Sequence, residues 1–318
     1  MNVIHIAKTP LAGSPGRLSD ELNKIDAINS VCFIERDYPG ELSGKFIGSS
    51  IVIDKTTASL LTKKIEDADV CHIHNDLSRD TLNLILANAE RCKFIYHVHS
   101  PLREGPLFFN NYTSMGVDFD AKVVVAQYHP RQYQDFIPVL NVVPFKPSAV
   151  PSPIGEKIRI LFSPSHSRTG GRWNDKTSPE LERALNLLSK RDDVEVIIPG
   201  KLSPSALFEL RRTCHITIDE IVTGSYHQIS LEGLAAGNVV INNSDALSNI
   251  FLEMTSNADM PPPFITLNNK NILSGLTALL EDREKIAQLQ RRSLSYYKKN
   301  LQPMKTAARL ISIYKGEI

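Results

Sequence analysis

The sequence predicts an α/β protein made of two doubly wound parallel-sheet units. Three observations carry that expectation. The chain has 318 residues, more than one domain of roughly 100–200 residues holds. Short, almost continuously apolar β-rich runs alternate with helical patterns, the signature of parallel sheets covered on both faces. A Pro/Ser/Gly stretch at 146–157, KPSAVPSPIGEK, interrupts the alternation, which restarts beyond it and so marks a linker.

In the first half, strands are expected at residues 2–7, 31–35, 50–54, 69–74, 93–99, 122–127 and 141–145, with helices near 15–28, 58–68 and 78–89. The second half places strands at 158–163, 194–199, 216–220, 239–242 and 264–267, and helices near 179–190, 204–213 and 226–236. Ser178-Pro179 and Ser203-Pro204 each supply a cap followed by a first-turn proline. From about residue 271 the chain reads as helical throughout. The expected domains are 1–147 and 148–300, with a terminal helix over 301–318 on which Ala307, Leu310, Ile313 and Tyr314 recur at helical spacing. Two Rossmann-like halves of this kind bind ligands at the C-terminal ends of their strands.

Composition excludes several classes. Hydrophobic residues at 42% and charged residues at 22% argue against global disorder. Lys plus Arg at 36 against Asp plus Glu at 35 excludes a polybasic nucleic-acid coat as the main theme, though not a local basic groove. Cys32, Cys71, Cys92 and Cys214 form no C-x-x-C pair, which suits a reducing compartment. MNVIHIAKTP reads as a strand rather than a signal peptide, and no apolar run approaches the roughly 18 residues of a membrane span. A soluble cytoplasmic protein is expected, with peripheral membrane contact left open.

The most informative stretch is ITIDEIVTGSYHQISLEGLAAGNVVI, residues 216–241. A strand ends near Asp219 or Glu220, a loop holds Thr223 and Gly224, and Ser225 with Gln228 fits a capping box. The amides of Tyr226, His227 and Gln228, with the helix dipole, would suit a phosphate. Glu232 shares the face of Gln228 one turn deeper, where a carboxylate can accept hydrogen bonds from two vicinal ribose hydroxyls. An amphipathic helix with a surface glutamate is the plainer alternative.

SLEGLAAGNVVI resembles the donor-site segment of retaining GT-B glycosyltransferases of the family-4-like group, whose usual form is E-x7-E, a small-residue helix and G-x-P-V-I. Glu232 matches the second glutamate. The first falls on Gly224, and Gly224-Ser225-Tyr226-His227 is similar to a branch that carries G-W-Y-G there and keeps the nucleotide-binding glutamate. ILFSPSHSRTGGRWNDK, residues 160–176, resembles the same family's loop whose cations neutralise the leaving diphosphate. Arg168 and Lys176 are the best matches, with Arg172 competing.

The resemblance implies an N-terminal acceptor domain and a C-terminal nucleotide-sugar domain facing across a cleft, with the last helix packing back on the first. It implies a UDP- or GDP-linked sugar as co-substrate, retention of stereochemistry, and neither cofactor nor metal. In such proteins the first loop lies near the donor phosphates. Here that loop is KTPLAGSPGRL, where Gly13 and Gly16 are candidate points of close backbone approach, although the spacing is not G-x-G-x-x-G.

Two histidine pairs, His72/His74 and His97/His99, each face one side of a strand end. They can be read as zinc ligands, but no carboxylate or cysteine completes a recognised motif. The resemblance instead places one histidine beside the transferring sugar, His99 first and His74 second, leaving others to the core. The expected function is therefore sugar transfer from a nucleotide-sugar donor. A UDP-sugar 2-epimerase and a two-lobed, non-enzymatic ligand-binding protein are the alternatives. Glycan, lipid-linked sugar, protein and nucleic acid all stand as acceptor classes, and the net charge of +1 gives DNA no support.

Overall fold

The computed structural model describes residues 1–89, 91–99, 111–164 and 177–318. In chain order its first elements are β1 (Asn2–Ala7), α1 (Ser14–Leu22), β2 (Asn29–Ile34), β3 (Ile51–Val52), α2 (Ala58–Glu66), β4 (Val70–His74), α3 (Arg79–Asn88), β5 (Lys93–Val98), β6 (Ala121–Val125) and β7 (Ile137–Val139). Then follow β8 (Ile158–Phe162), α4 (Pro179–Leu188), β9 (Val194–Ile197), α5 (Pro204–Arg212), β10 (Ile216–Ile218), α6 (Gln228–Ala236), β11 (Val239–Asn242), α7 (Ala246–Ser256), β12 (Phe264–Thr266), α8 (Ile272–Leu280), α9 (Arg283–Asn300) and α10 (Pro303–Lys315). The chain divides into two compact units. Unit 1 is Met1–Val142 with Pro303–Ile318, and unit 2 is Val143–Gln302.

Unit 1 is a parallel sheet in the order β3-β2-β1-β4-β5-β6-β7. Side chains alternate between its faces. Val3, Val70, Ile95, Val123 and Val139 pack with Leu18 and Leu22 of α1 and with Ala307, Leu310, Ile313 and Tyr314 of α10. Ile4, Ile6, Cys71, Ile73, Tyr96 and Val124 pack on the opposite side with Leu61 and Ile65 of α2 and Leu82 and Ile85 of α3. Unit 2 repeats the plan in the order β12-β11-β10-β8-β9, also parallel. Its main core joins Ile160, Phe162, Ile216, Ile218 and Ile241 to α4 and α8 through Leu181, Leu185, Leu276 and Leu279. No helix among the described residues is long and apolar enough to cross a membrane.

Three local expectations fail for physical reasons. The first helix ends at Leu22 because the Asn23 side chain clasps Ser30, donating to its carbonyl at 2.8 Å and accepting from its amide at 2.7 Å. The run at 141–145 is not a strand. The edge strand is β7, which ends two residues upstream at Val139, and Pro144 would interrupt a ladder at 141–145. The segment at 146–157 is no free linker but a strap on unit 2. Ser148 donates to the Ala235 carbonyl, Gln290 to Ser152, Lys298 to Ala149, and Arg283 to Gly155 and Glu156.

Candidate functional site

At the end of β10 the chain turns through residues 219–227 into α6. Buried carboxylates hold this turn together. Asp219 Oδ2 accepts from the His227 amide and the Ser230 hydroxyl, each at 2.7 Å. Glu220 accepts from the amides of Val222 (2.6 Å) and Thr223 (2.7 Å), and from the Thr223 hydroxyl. Gly224 has a left-handed φ of +76°, its amide donates to Asn243 Oδ1, and its carbonyl accepts from the Asp245 amide and the Ser248 hydroxyl. The turn is thus fixed from β11 and α7 as well as from β10.

The capping box does not form. The helix begins at Gln228 with His227 as its capping residue, and the His227 side chain itself makes no cap hydrogen bond. Asp219 takes the His227 amide that was expected to face a phosphate. Ser225 and Tyr226 are fully buried, the Ser225 hydroxyl donating to the Tyr226 carbonyl. Gly224 and His227 are partly buried, the His227 side chain keeping 12% of its exposure. The His227 ring stands 3.5 Å from Asp219 Oδ1.

Glu232 does share a face with Gln228, whose Nε2 lies 3.4 Å from Glu232 Oε1. Its other oxygen accepts from Arg211 Nη1 at 2.7 Å. Arg211, at the end of α5, is fully buried, and its Nε and Nη2 have no partner among the described residues. The sequence reading missed it, because Arg211-Arg212 looks like ordinary basic residues closing a helix. Every residue of α6 after Gln228 is buried. Gly233 permits this, since a Cβ there would lie 2.8 Å from Val240 Cγ2 and 3.3 Å from Thr217 Cβ. The helix therefore lies directly on β10 and β11 and carries Glu232 with it. Arg168, Arg172 and Lys176 lie outside the described residues.

In unit 1 the loop after β1 runs through three successive left-handed residues, Leu11 (φ 47°), Ala12 (φ 54°) and Gly13 (φ 87°). For each non-glycine residue this costs about 1–2 kcal/mol, strain of a kind that collects at functional sites. Gly13 precedes α1 without a side-chain cap. Gly16 serves close packing, since a Cβ there would lie 2.7 Å from Ser50 Oγ. Asn75, also left-handed, donates its amide to the His97 carbonyl and accepts from the His99 amide at 2.7 Å. His129 Nε2 donates to the His99 carbonyl at 2.9 Å.

These bonds fix His99 at the end of β5, half-buried, with Nε2 2.8 Å from His74 Nδ1. Burial pushes its pKa down to about 3. At neutral pH the ring is uncharged, able to hydrogen-bond but not to supply a proton as imidazolium. His72, His74 and His97 are buried beside it, and β1 adds His5 to the row. His5 carries no motif of its own in the sequence. Its signal lay in register: β1 pairs with β4 so that His5 stands opposite His72.

No protein-family model and no curated protein matches the chain. Solved structures match along its whole length. An alpha-glucosyltransferase in complex with UDP-glucose and DNA containing an abasic site superposes with a TM-score of 0.65 at 12% identity, covering 98% of each chain. A glycosyltransferase from Rickettsia africae gives 0.58 at 14%, covering 99% of this chain and 98% of that one. A UDP-GlcNAc 2-epimerase from Neisseria meningitidis bound to UDP-GlcNAc gives 0.51 at 13%, covering 99% and 100%. Two doubly wound parallel units, matched end to end by these structures, give this chain the GT-B fold.

Proposed function

We propose that this protein transfers a sugar from a UDP- or GDP-linked donor to an acceptor, with retention and without a metal at the donor diphosphate. The observation that carries the reading is Glu232, held by the buried Arg211 on a helix packed into the sheet. In this reading its remaining lone pairs accept from the ribose hydroxyls. Arg168 and Lys176, with Arg172, meet the charge that grows on the departing diphosphate, where preorganised cations lower the barrier most. Gly224 and His227 flank the donor, and the Gly13 loop offers close backbone approach. His99, as a neutral ring, hydrogen-bonds the transferring sugar or the acceptor. Departure and attack share one face of the sugar.

The acceptor is the open term. DNA enters the test because one matched transferase was solved with it, and lipid-linked sugar because a peripheral membrane contact would serve it. The test is a calorimetric screen of nucleotide sugars, then nucleoside diphosphate release and intact mass with glycan, lipid-linked, protein and duplex DNA acceptors. One donor should bind, and one acceptor should gain the mass of a sugar residue. Binding of no nucleotide sugar would contradict the proposal. A second reading, 2-epimerisation of the donor itself, has support in the epimerases that match over the full chain. Conversion of donor to its 2-epimer with no acceptor present would favour it.

A further inference from the structure

The row of histidines in unit 1 is more than sugar transfer requires. His5 stands opposite His72 across the β1–β4 ladder, and His74 follows two residues on, facing the same side. All three are fully buried. One ring nitrogen from each lies within 4.8 Å of one from each of the others. An i, i+2 pair on one strand and a third residue opposite it on the next thus converge above the sheet.

Two of the rings are oriented from outside the trio. The Tyr314 hydroxyl lies 2.7 Å from His72 Nδ1, and His99 Nε2 lies 2.8 Å from His74 Nδ1. With Nδ1–H donating outward in both rings, Nε2 keeps its lone pair. His72 Nε2 has no partner among the described residues, and His74 Nε2 faces His5 Nδ1 at 2.9 Å. We propose that His5, His72 and His74 form a three-histidine site for one divalent transition-metal ion of the zinc class, with Tyr314 and His99 as the outer partners that orient two of the ligands.

The chemistry suits such an ion. Zinc–nitrogen bonds of about 2.0–2.1 Å set tetrahedral ligands roughly 3.3 Å apart. The His5–His74 pair, at 2.9 Å, is already near that spacing, and the third nitrogen, within 4.8 Å of both, has to move inward on binding. An all-nitrogen set favours zinc, cobalt, nickel or copper over magnesium and calcium, which take oxygen. Neutral imidazole is the ligating form, and all three rings are fully buried, away from the water that would favour the charged form. Outer hydrogen bonds of the Tyr314 and His99 type are what ligating histidines commonly make. The site belongs to unit 1, and its metal content is read without any transferase assay, although His99 takes part in both proposals.

The test is metal content. The full chain, produced in zinc-supplemented medium and passed over chelating resin, should keep close to one zinc per chain by elemental mass spectrometry. Cobalt substitution should give the visible bands of a tetrahedral, nitrogen-ligated ion. His5→Gln and His74→Gln should each lower retained metal at least tenfold. His97→Gln, which removes a neighbouring ring outside the trio, and His215→Gln in unit 2 should keep it. Tyr314→Phe should weaken zinc affinity by about tenfold to a hundredfold. Wild-type protein free of both metals, or zinc retained by His5→Gln, would overturn the proposal. Loss of zinc in His97→Gln would overturn this choice of ligands. Should His74→Gln not fold, His5→Gln and the wild-type measurement still decide it.

Discussion

At the C-terminal ends of β1, β4 and β5, unit 1 buries imidazoles beside imidazoles. At the end of β10 and the start of α6, unit 2 buries carboxylates among donors. The rings of His72, His74, His97 and His99 stand 4.0–5.2 Å apart between neighbours, and burial keeps them uncharged. Asp219, Glu220 and Glu232 instead each accept bonds from named amides, hydroxyls or a guanidinium. An imidazole can be buried as a neutral ring with few partners, whereas these carboxyl groups have donors built around them. Unit 2 therefore presents a turn fixed by donors to its carboxyl oxygens, and unit 1 presents a row of closely spaced ring nitrogens.

The largest test of that contrast is Arg211→Met. It leaves Glu232 buried without its cation, a change that costs about 3–5 kcal/mol when a buried pair is broken. Urea unfolding followed by circular dichroism should show this loss. The exposed pair Arg183–Glu180 is the comparison, and Arg183→Ala should leave the same transition unmoved. A loss below about 1 kcal/mol for Arg211→Met would mean that Glu232 is held by solvent rather than by the pair.

In unit 1 the counterpart is Tyr314→Phe, which removes a neutral hydrogen bond to His72. Leaving that buried nitrogen unpaired costs about 1–3 kcal/mol. If its effect equalled that of Arg211→Met, the distinction between neutral and charged burial would fail. The smallest expected effect is a gain. Ala12→Gly relieves a left-handed residue worth about 1–2 kcal/mol but frees the unfolded chain, for a net stabilisation of about 0.5–1 kcal/mol. A raised thermal midpoint checks it, and a lowered one would show that the Ala12 methyl packs more than it strains.

Much of this was legible in the sequence where the cause is local. The runs DVCHIH and KFIYHV are strands because their apolar residues line both faces, and Glu232 meets Gln228 because four residues make a helical turn. Partners distant in the chain were not legible. The capping box at Ser225 fails because Asp219, across the turn, takes the His227 amide. The 146–157 segment reads as a linker until Arg283, Gln290 and Lys298 are seen to tie it down. Arg211 and His5 carry no periodic signal for their roles, which exist only once α5 meets α6 and β1 meets β4.

The structure also changes how Glu232 should be tested, since Glu232→Ala would orphan the buried Arg211 guanidinium. Glu232→Gln keeps the size and an acceptor for Arg211 while removing the charge. The decisive measurement is calorimetric titration of UDP and GDP into the wild type, Glu232→Gln and the control Glu253→Ala. A charge-assisted bond to a ribose hydroxyl contributes about 1.5–3 kcal/mol, so Glu232→Gln should weaken the nucleotide that binds the wild type by about tenfold to a hundredfold. Glu253→Ala should bind like the wild type. Equal affinity for the wild type and Glu232→Gln would contradict the assignment of this helix to the donor nucleotide.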